Sequence, residues 1–331
     1  MISFSVQKLF FHAPLLMKIM VRLDNPQDAT SVQGLALKKQ LHRVMNQNSK
    51  KILIPVDFSE TSAKALNYGA AFAQKNGASL ILLHVTGLHM SVLQPDEQII
   101  TTEEIEEIEN EQLVKWRIDA EHRFPGVQFE TRSMTGFPIE WIRNCAEQER
   151  VDLVLMGTKG AKGAQEFILG SHTSSLINQT DCAVLAVPEE AVFNGIRRIV
   201  IATNLEKEDH LMIRQTIGLF GKENPEIVLL HVENSGERDP EAALMNWFHT
   251  EILPKIQYPR LKPVCLEEGD VINALEHYLD KETPDLLVTS TRKRNFFERI
   301  FERSVTQKMA FHTRIPLLAL HVHESKGRVI F

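Results

Sequence analysis

The feature that most constrains this chain is that it carries one pattern twice. Lys51-Ile-Leu-Ile-Pro-Val-Asp57 resembles Arg198-Ile-Val-Ile-Ala-Thr-Asn204, and Leu80-Ile-Leu-Leu-His-Val85 resembles Ile227-Val-Leu-Leu-His-Val232. Val151-Asp-Leu-Val-Leu155 resembles Pro284-Asp-Leu-Leu-Val288, and Ala183-Val-Leu-Ala-Val187 resembles Pro316-Leu-Leu-Ala-Leu320. The order is the same in both copies. From Gly136 onward the offset is a constant 133 residues, which sets Gly136 opposite Gly269. A repeat of this kind means one supersecondary plan built twice. A length of 331 residues accommodates two domains of ordinary size, each with its own core.

Within each copy, short continuous apolar runs alternate with longer stretches of helical period. Strands that are apolar without alternation are buried on both faces, as in a parallel sheet with helices on either side. The first copy predicts helices over 60–75, 98–122, 138–149 and 171–179. Ser59 stands at an N-cap position, Glu60 and Ser62 fall in the first turn, and Gly77 ends the helix. Ala63, Leu66, Ala70 and Ala73 recur at helical spacing. The acidic run Thr101 to Glu111, with Ile105 and Ile108, is expected to be the solvated face of a helix. Pro188 to Gly195 is the expected linker, too short to let the copies tumble freely. The two are therefore expected to pack about a pseudo-two-fold axis, like a homodimer.

The expected boundaries are an extension over 1–49, a domain over 50–188, a second over 196–323 and a tail over 324–331. Leu9 to Val21 is largely apolar but interrupted by Lys18, and it is too short to span a bilayer. No cleavage pattern marks a signal peptide, so the cytoplasm is the expected location. The net charge of -6 argues against nucleic acid or an anionic membrane as the main partner. Cys145, Cys182 and Cys265 match no zinc or redox spacing and are expected to be buried free thiols.

After the fourth strand of the first copy comes Gly157-Thr-Lys-Gly160-Ala-Lys-Gly-Ala-Gln-Glu-Phe-Ile-Leu-Gly170-Ser171. Glycines there let the backbone approach phosphate oxygens, and a helix opening at Ser171 offers free N–H groups to an anion. Asp57 ends a strand on the same side, where ligands of open α/β sheets bind. A tight loop that merely caps a helix explains the same glycines. The loop lacks the Gly-Lys-Ser/Thr ending of a P-loop, and no dinucleotide fingerprint follows the first strand.

The spacing Gly157-x2-Gly160-x9-Gly170-Ser171, followed by the Asp181–Val187 strand, resembles the signature of the universal stress protein family. Ile52-Leu-Ile-Pro-Val-Asp-Phe-Ser59 resembles the start of its domains. The resemblance is strong over 50–188 and weaker over 197–322. It implies an α/β fold of two tandem open-sheet domains, each a five-stranded parallel sheet flanked by helices, of the adenine nucleotide alpha hydrolase-like type. It also implies ATP or a related adenine nucleotide as ligand, with Mg²⁺ as an accompanying ion. Carried over, Asp57 contacts adenosine and the backbone of Val85 and Thr86 lies near adenine. Gly157, Gly160, Gly170 and Ser171 surround ribose and phosphates, with Ser174 or Ser175 as an added contact. Family members assemble as dimers or tandem pairs, so a homodimer or protein partner is a further expectation.

The second copy departs at each decisive position. Asn204 replaces the aspartate, Ser290, Lys293 and Arg303 replace the glycines, and only Ser304 remains. No nucleotide is expected there. Lys293, Arg294, Arg299 and Arg303 are taken as a solvated basic face. No catalytic triad, paired carboxylate or metal motif stands out. Lys159 and Lys162 can neutralise phosphate, but no general base is aimed at water, so at most slow ATP hydrolysis is expected. His84 and His231 are expected to be structural, and a site at His321 and His323 would need further ligands. The expected function is that of a nucleotide-binding stress-response protein. A tandem interaction module without nucleotide and a slow ATPase are the alternatives.

Overall fold

The computed structural model describes residues 49–87, 101–158, 171–233, 236–267, 270–291 and 314–321. The expected extension over 1–49, but for Ser49, and the tail lie outside them. Both repeats belong to one compact unit that begins at Lys51. The first repeat runs β1 (Lys51–Pro55), α1 (Glu60–Asn76), β2 (Ser79–Thr86), α2 (Thr102–Arg123), β3 (Gln128–Thr135), α3 (Pro138–Gln148), β4 (Leu153–Gly157), α4 (Ser171–Gln179) and β5 (Ala183–Val187). The second runs β6 (Arg198–Ala202), α5 (Asp209–Phe220), β7 (Glu226–Glu233), α6 (Pro240–Trp247), β8 (Leu261–Glu267), α7 (Val271–Glu282), β9 (Leu286–Ser290) and β10 (Leu317–Leu320).

Local chemistry sets the helix limits. The Ser59 hydroxyl accepts from the Ser62 amide at 3.2 Å, and Gly77 closes α1 at φ 70°. Thr101 opens α2 with a full capping box: its hydroxyl accepts from the Glu104 amide, and the Glu104 carboxylate accepts from the Thr101 amide. In the second repeat Asp239 caps α6, which is 8 residues long where α2 has 22.

The strands form a single ten-stranded sheet in the order β3-β2-β1-β4-β5-β10-β9-β6-β7-β8. Each half is parallel, and the halves join through one antiparallel pair, β5 against β10. Leu185 faces Leu318, and on either side Val184 faces Ala319 and Ala186 faces Leu317. Residues 185 and 318 are the same position of the two repeats, so the pseudo-two-fold axis passes between them. The two expected sheets are thus continuous. The outer edges are β3 and β8, which carry Glu130 and Arg132, and Lys262 and Pro263; such residues discourage further strand pairing.

The apolar strands bury both faces, as their continuity predicted. One face packs beneath α1, α2, α5 and α6, in a layer that includes Leu66, Phe72, Leu113, Phe220 and Leu244. The other packs beneath α3, α4 and α7, with Ile142, Leu176, Ile177 and Leu275. The linker is part of the core seam. Phe193 meets Tyr68 and Phe72 edge-on at 5.3 and 5.5 Å, and Phe72 meets Phe220 of the second repeat at 5.4 Å. Glu223 accepts from Asn76 and the Ile196 amide and pairs with Lys75 at 2.5 Å. Gly195 passes between these groups at φ +99°, and a Cβ there would press on the Lys75 ammonium group.

Candidate functional site

β1 lies between β2 and β4. The helix that follows β1 packs on one face of the sheet and the helix that follows β4 on the other. The chain therefore diverges at the carboxyl ends of β1 and β4, which is where an open α/β sheet leaves a crevice. Asp57 sits just past β1, exposed, its carboxylate accepting from the Ser59 amide at 3.1 Å and hydroxyl at 2.5 Å. Partial burial pushes its carboxyl up, but the hydrogen bonds from Ser59 and Ser62 outweigh this and hold it below the ordinary value. Phe58 follows in the left-handed region at φ 60°.

Gly157 ends β4 against the first turn of α1. A Cβ there would stand 2.7 Å from the Thr61 methyl and 2.8 Å from the Thr61 carbonyl oxygen. Its own carbonyl accepts from the buried Thr173 hydroxyl in the first turn of α4 at 3.3 Å. Gly157 thus joins the N-terminal turns of α1 and α4, and Ser174 lies half-buried on α4. Ser171 opens that helix; its side chain, with Gly160, Gly170, Lys159 and Lys162, lies outside the described residues.

The carboxyl end of β2 is more enclosed than expected. Val85 packs against the layer of α3 and α4. Thr86 is buried, its carbonyl accepts from the Gly136 amide at 2.9 Å, and its hydroxyl donates to Glu109 of α2 at 2.5 Å. One turn earlier, Glu106 accepts from Thr135. The acidic run is therefore not a purely solvated face: Glu106 and Glu109 turn inward while Ile108 is 59% exposed. The buried Thr86 hydroxyl at the end of β2 and the half-buried Thr135 hydroxyl at the end of β3 need acceptors, and these glutamates supply them. Sequence reasoning missed both residues. The one available signal is their spacing of three, which puts them on one helix face.

A profile of the universal stress protein family matches residues 48–188 and again 195–321. The chain belongs to that family. Over 152 residues it is 32% identical to a universal stress protein of Methanocaldococcus jannaschii, covering 42% of this chain and 94% of the relative. Over 144 residues it is 33% identical to a universal stress protein of Bacillus subtilis, covering 41% of this chain and 97% of the relative. The solved structure of a universal stress protein from Archaeoglobus fulgidus superposes with a TM-score of 0.59 at 16% identity. It covers 82% of this chain and 98% of its own, and shows that the tandem fold is shared.

The two stress-protein repeats agree closely at the amino ends of their strands. The Lys51 amide donates to Asp152 and the Arg198 amide to Asp285, while Lys51 pairs with Glu149 and Arg198 with Glu282. At the carboxyl ends the backbone repeats but the side chains do not. Leu205 takes φ 58° where Phe58 takes 60°, and His231 faces the Thr203 carbonyl as His84 faces that of Val56. Asn204 is exposed at the position of Asp57. Asp209, which sequence reasoning also missed, is buried in the first turn of α5, accepting from the Thr203 hydroxyl and Glu206 amide. Burial pushes its carboxyl up to about 6, against the pull of those two donors. Ser290 stands at the end of β9; Lys293, Arg294, Arg299, Arg303 and Ser304 lie outside the described residues.

The further ligands that a metal site at His321 and His323 would need are not what surrounds His321. Nε2 donates to the Ile177 carbonyl of the first repeat at 2.6 Å, and Nδ1 accepts from Thr291 at 2.8 Å, so both ring nitrogens are engaged. His323 lies outside the described residues. Among the described residues no group of three His, Cys, Asp or Glu can hold a metal, and no helix is long and apolar enough to cross a membrane. Cys145 is buried, whereas Cys182 and Cys265 are half-buried, and none of the three forms a disulfide.

Proposed function

We propose that the first repeat binds an adenine nucleotide, ATP or a close relative, at the carboxyl ends of β1 and β4, and that occupancy changes how the protein meets a partner in a stress response. The observation that carries this reading is the placement of Asp57. An exposed carboxylate held ionised at the end of β1 suits an acceptor for ribose hydroxyls or the adenine amino group. It adjoins the turn that Gly157 ties to the start of α4, where helix N–H groups suit phosphate. Gly160, Gly170, Ser171 and Ser174 would line the phosphate side. Val85 and Thr86 would border the base through their remaining backbone groups. The second repeat, over 196–323, would serve as a fixed partner to the domain over 50–188, without a nucleotide of its own.

Denaturing freshly purified protein and identifying the released small molecules by mass spectrometry tests this, followed by calorimetric titration with ATP and Mg²⁺. Stoichiometric nucleotide is expected. Asp57→Ala should weaken binding at least about tenfold, or about 1.4 kcal/mol, with the fold unchanged. Gly160→Trp should abolish it. No release and no uptake would leave the second reading, a tandem interaction module. That reading draws on Gly157 itself, whose lack of a side chain is already accounted for by its packing on Thr61.

A further inference from the structure

His84 is 5% exposed and faces two acceptors. Nδ1 lies 2.8 Å from the Val56 carbonyl oxygen. Nε2 lies 3.0 Å from a Glu109 carboxylate oxygen, within ion-pair range though off the line of a hydrogen bond. Carbonyl and carboxylate oxygens only accept. A neutral imidazole has one N–H and serves one of them; the imidazolium serves both.

The same groups hold two other parts of the molecule. The Glu109 oxygen also accepts from Thr86, so the pair fastens α2 to the end of β2. The His84 ring stacks on Phe58 with centroids 4.4 Å apart, and Phe58 meets Trp116 of α2 edge-on at 5.5 Å. A charged imidazole strengthens such a stack. Phe58 directly follows Asp57 and is held in the left-handed conformation, so what fixes its ring fixes the turn that presents Asp57.

The charged neighbours are few. α2 contributes Glu109 and, one turn earlier, Glu106, which is bonded to Thr135. The β1–α1 turn contributes Asp57, whose carboxylate is bound to Ser59. β3 places Ser133 opposite His84. Among the described residues neither glutamate has a lysine or arginine partner, so the Glu109 carboxylate faces no cation other than a protonated His84.

We propose that His84 and Glu109 form a proton-operated latch on α2. Charged, His84 ties the first half of α2 to β2 and stiffens the Phe58 turn behind Asp57. Neutral, it leaves a ring lone pair facing an acceptor, and α2 loosens. The second repeat shows the contrast: His231 lies 3.5 Å from Glu233, but Glu233 belongs to the same strand, so charge there ties no helix. That the latch also tightens adenine-nucleotide binding while His84 is charged rests on the function proposed above; the latch itself does not.

The test uses the full chain without nucleotide. The His84 ring is followed by NMR across a pH titration, and hydrogen exchange gives protection factors for the amides of residues 102–112. Protection should fall at least tenfold as the ring passes from charged to neutral. Glu109→Gln should flatten the pH dependence of protection, because the one oxygen that faces both Nε2 and Thr86 keeps its acceptor role but loses the charge that answers an imidazolium. The proposal is overturned if the ring is already neutral in weak acid, if protection ignores its titration, or if Glu109→Gln keeps the wild-type pH dependence. The wild-type titration decides alone should the variant not fold. ATP titration at both pH limits separates the two ideas: a working latch with no ATP uptake defeats the nucleotide reading only, and ATP uptake with flat protection defeats the latch only.

Discussion

Asp209 shows how one residue changed the character of the second repeat. In the first repeat the start of α1 is arranged around hydroxyls, with Ser62 donating to the Ser59 carbonyl. In the second, a buried carboxylate takes the corresponding place and draws in the Thr203 hydroxyl and Glu206 amide. Burial raises its folded-state titration to about 6 from an ordinary 3.8. The folded protein therefore binds this proton more tightly than the unfolded chain. The resulting stabilisation is complete below pH ~4 and is lost as pH rises through about 6. Asp209→Asn keeps an oxygen for Thr203 and removes the charge. It should raise stability at pH 8 by on the order of 2 kcal/mol and lose that advantage in weak acid. Urea melts of both proteins at several pH values check this; parallel stability profiles would show that the buried carboxyl does not titrate as described.

At the scale of elements, the packing of β4 against α1 depends on Gly157. Any side chain there meets the Thr61 backbone oxygen at 2.8 Å, and backbone cannot swing aside as a flexible side chain can. Gly157→Ala should destabilise by about 1–3 kcal/mol, measured by thermal or urea unfolding, whether or not nucleotide is present. An unchanged melting point would show that α1 shifts freely and would return Gly157 to a purely ligand-facing role. Elements like this were legible where the signal is local. The apolar strands, the Ser59 cap and the Gly77 stop follow from residue type and spacing, and so did the side of the sheet where Asp57 and Gly157 meet. The inward turn of Glu106 and Glu109 was not legible, because the threonines that attract them lie on β2 and β3, distant in sequence. Nor was the fusion of the two sheets: β5 and β10 read as the same apolar run as strands inside a sheet, and nothing local says that they pair with each other.

For the whole molecule, the seam makes two repeats into one cooperative object. Leu185 and Leu318 meet on the pseudo-two-fold axis, both buried on the same face of a continuous sheet. On one face the core runs unbroken from Phe193 through Phe72 to Phe220. Below it Glu223 gathers Lys75, Asn76 and the Ile196 amide from both sides of the linker. Separating the halves would expose the β5 edge and this aromatic face together, so neither half should persist alone while the other unfolds. The tryptophans report this directly: Trp116 and Trp141 lie in the first repeat and Trp247 in the second. Variants that retain only the first pair or only Trp247 should melt at the same midpoint in urea. Leu318→Ala, made in the second repeat, should lower both by the same amount, about 2–5 kcal/mol, because the cavity it leaves belongs equally to β5. Two separate midpoints, or a loss seen by Trp247 alone, would mean that the seam holds more weakly than each repeat holds itself. A ligand in the first repeat would then stabilise only that repeat, and the second would not sense it.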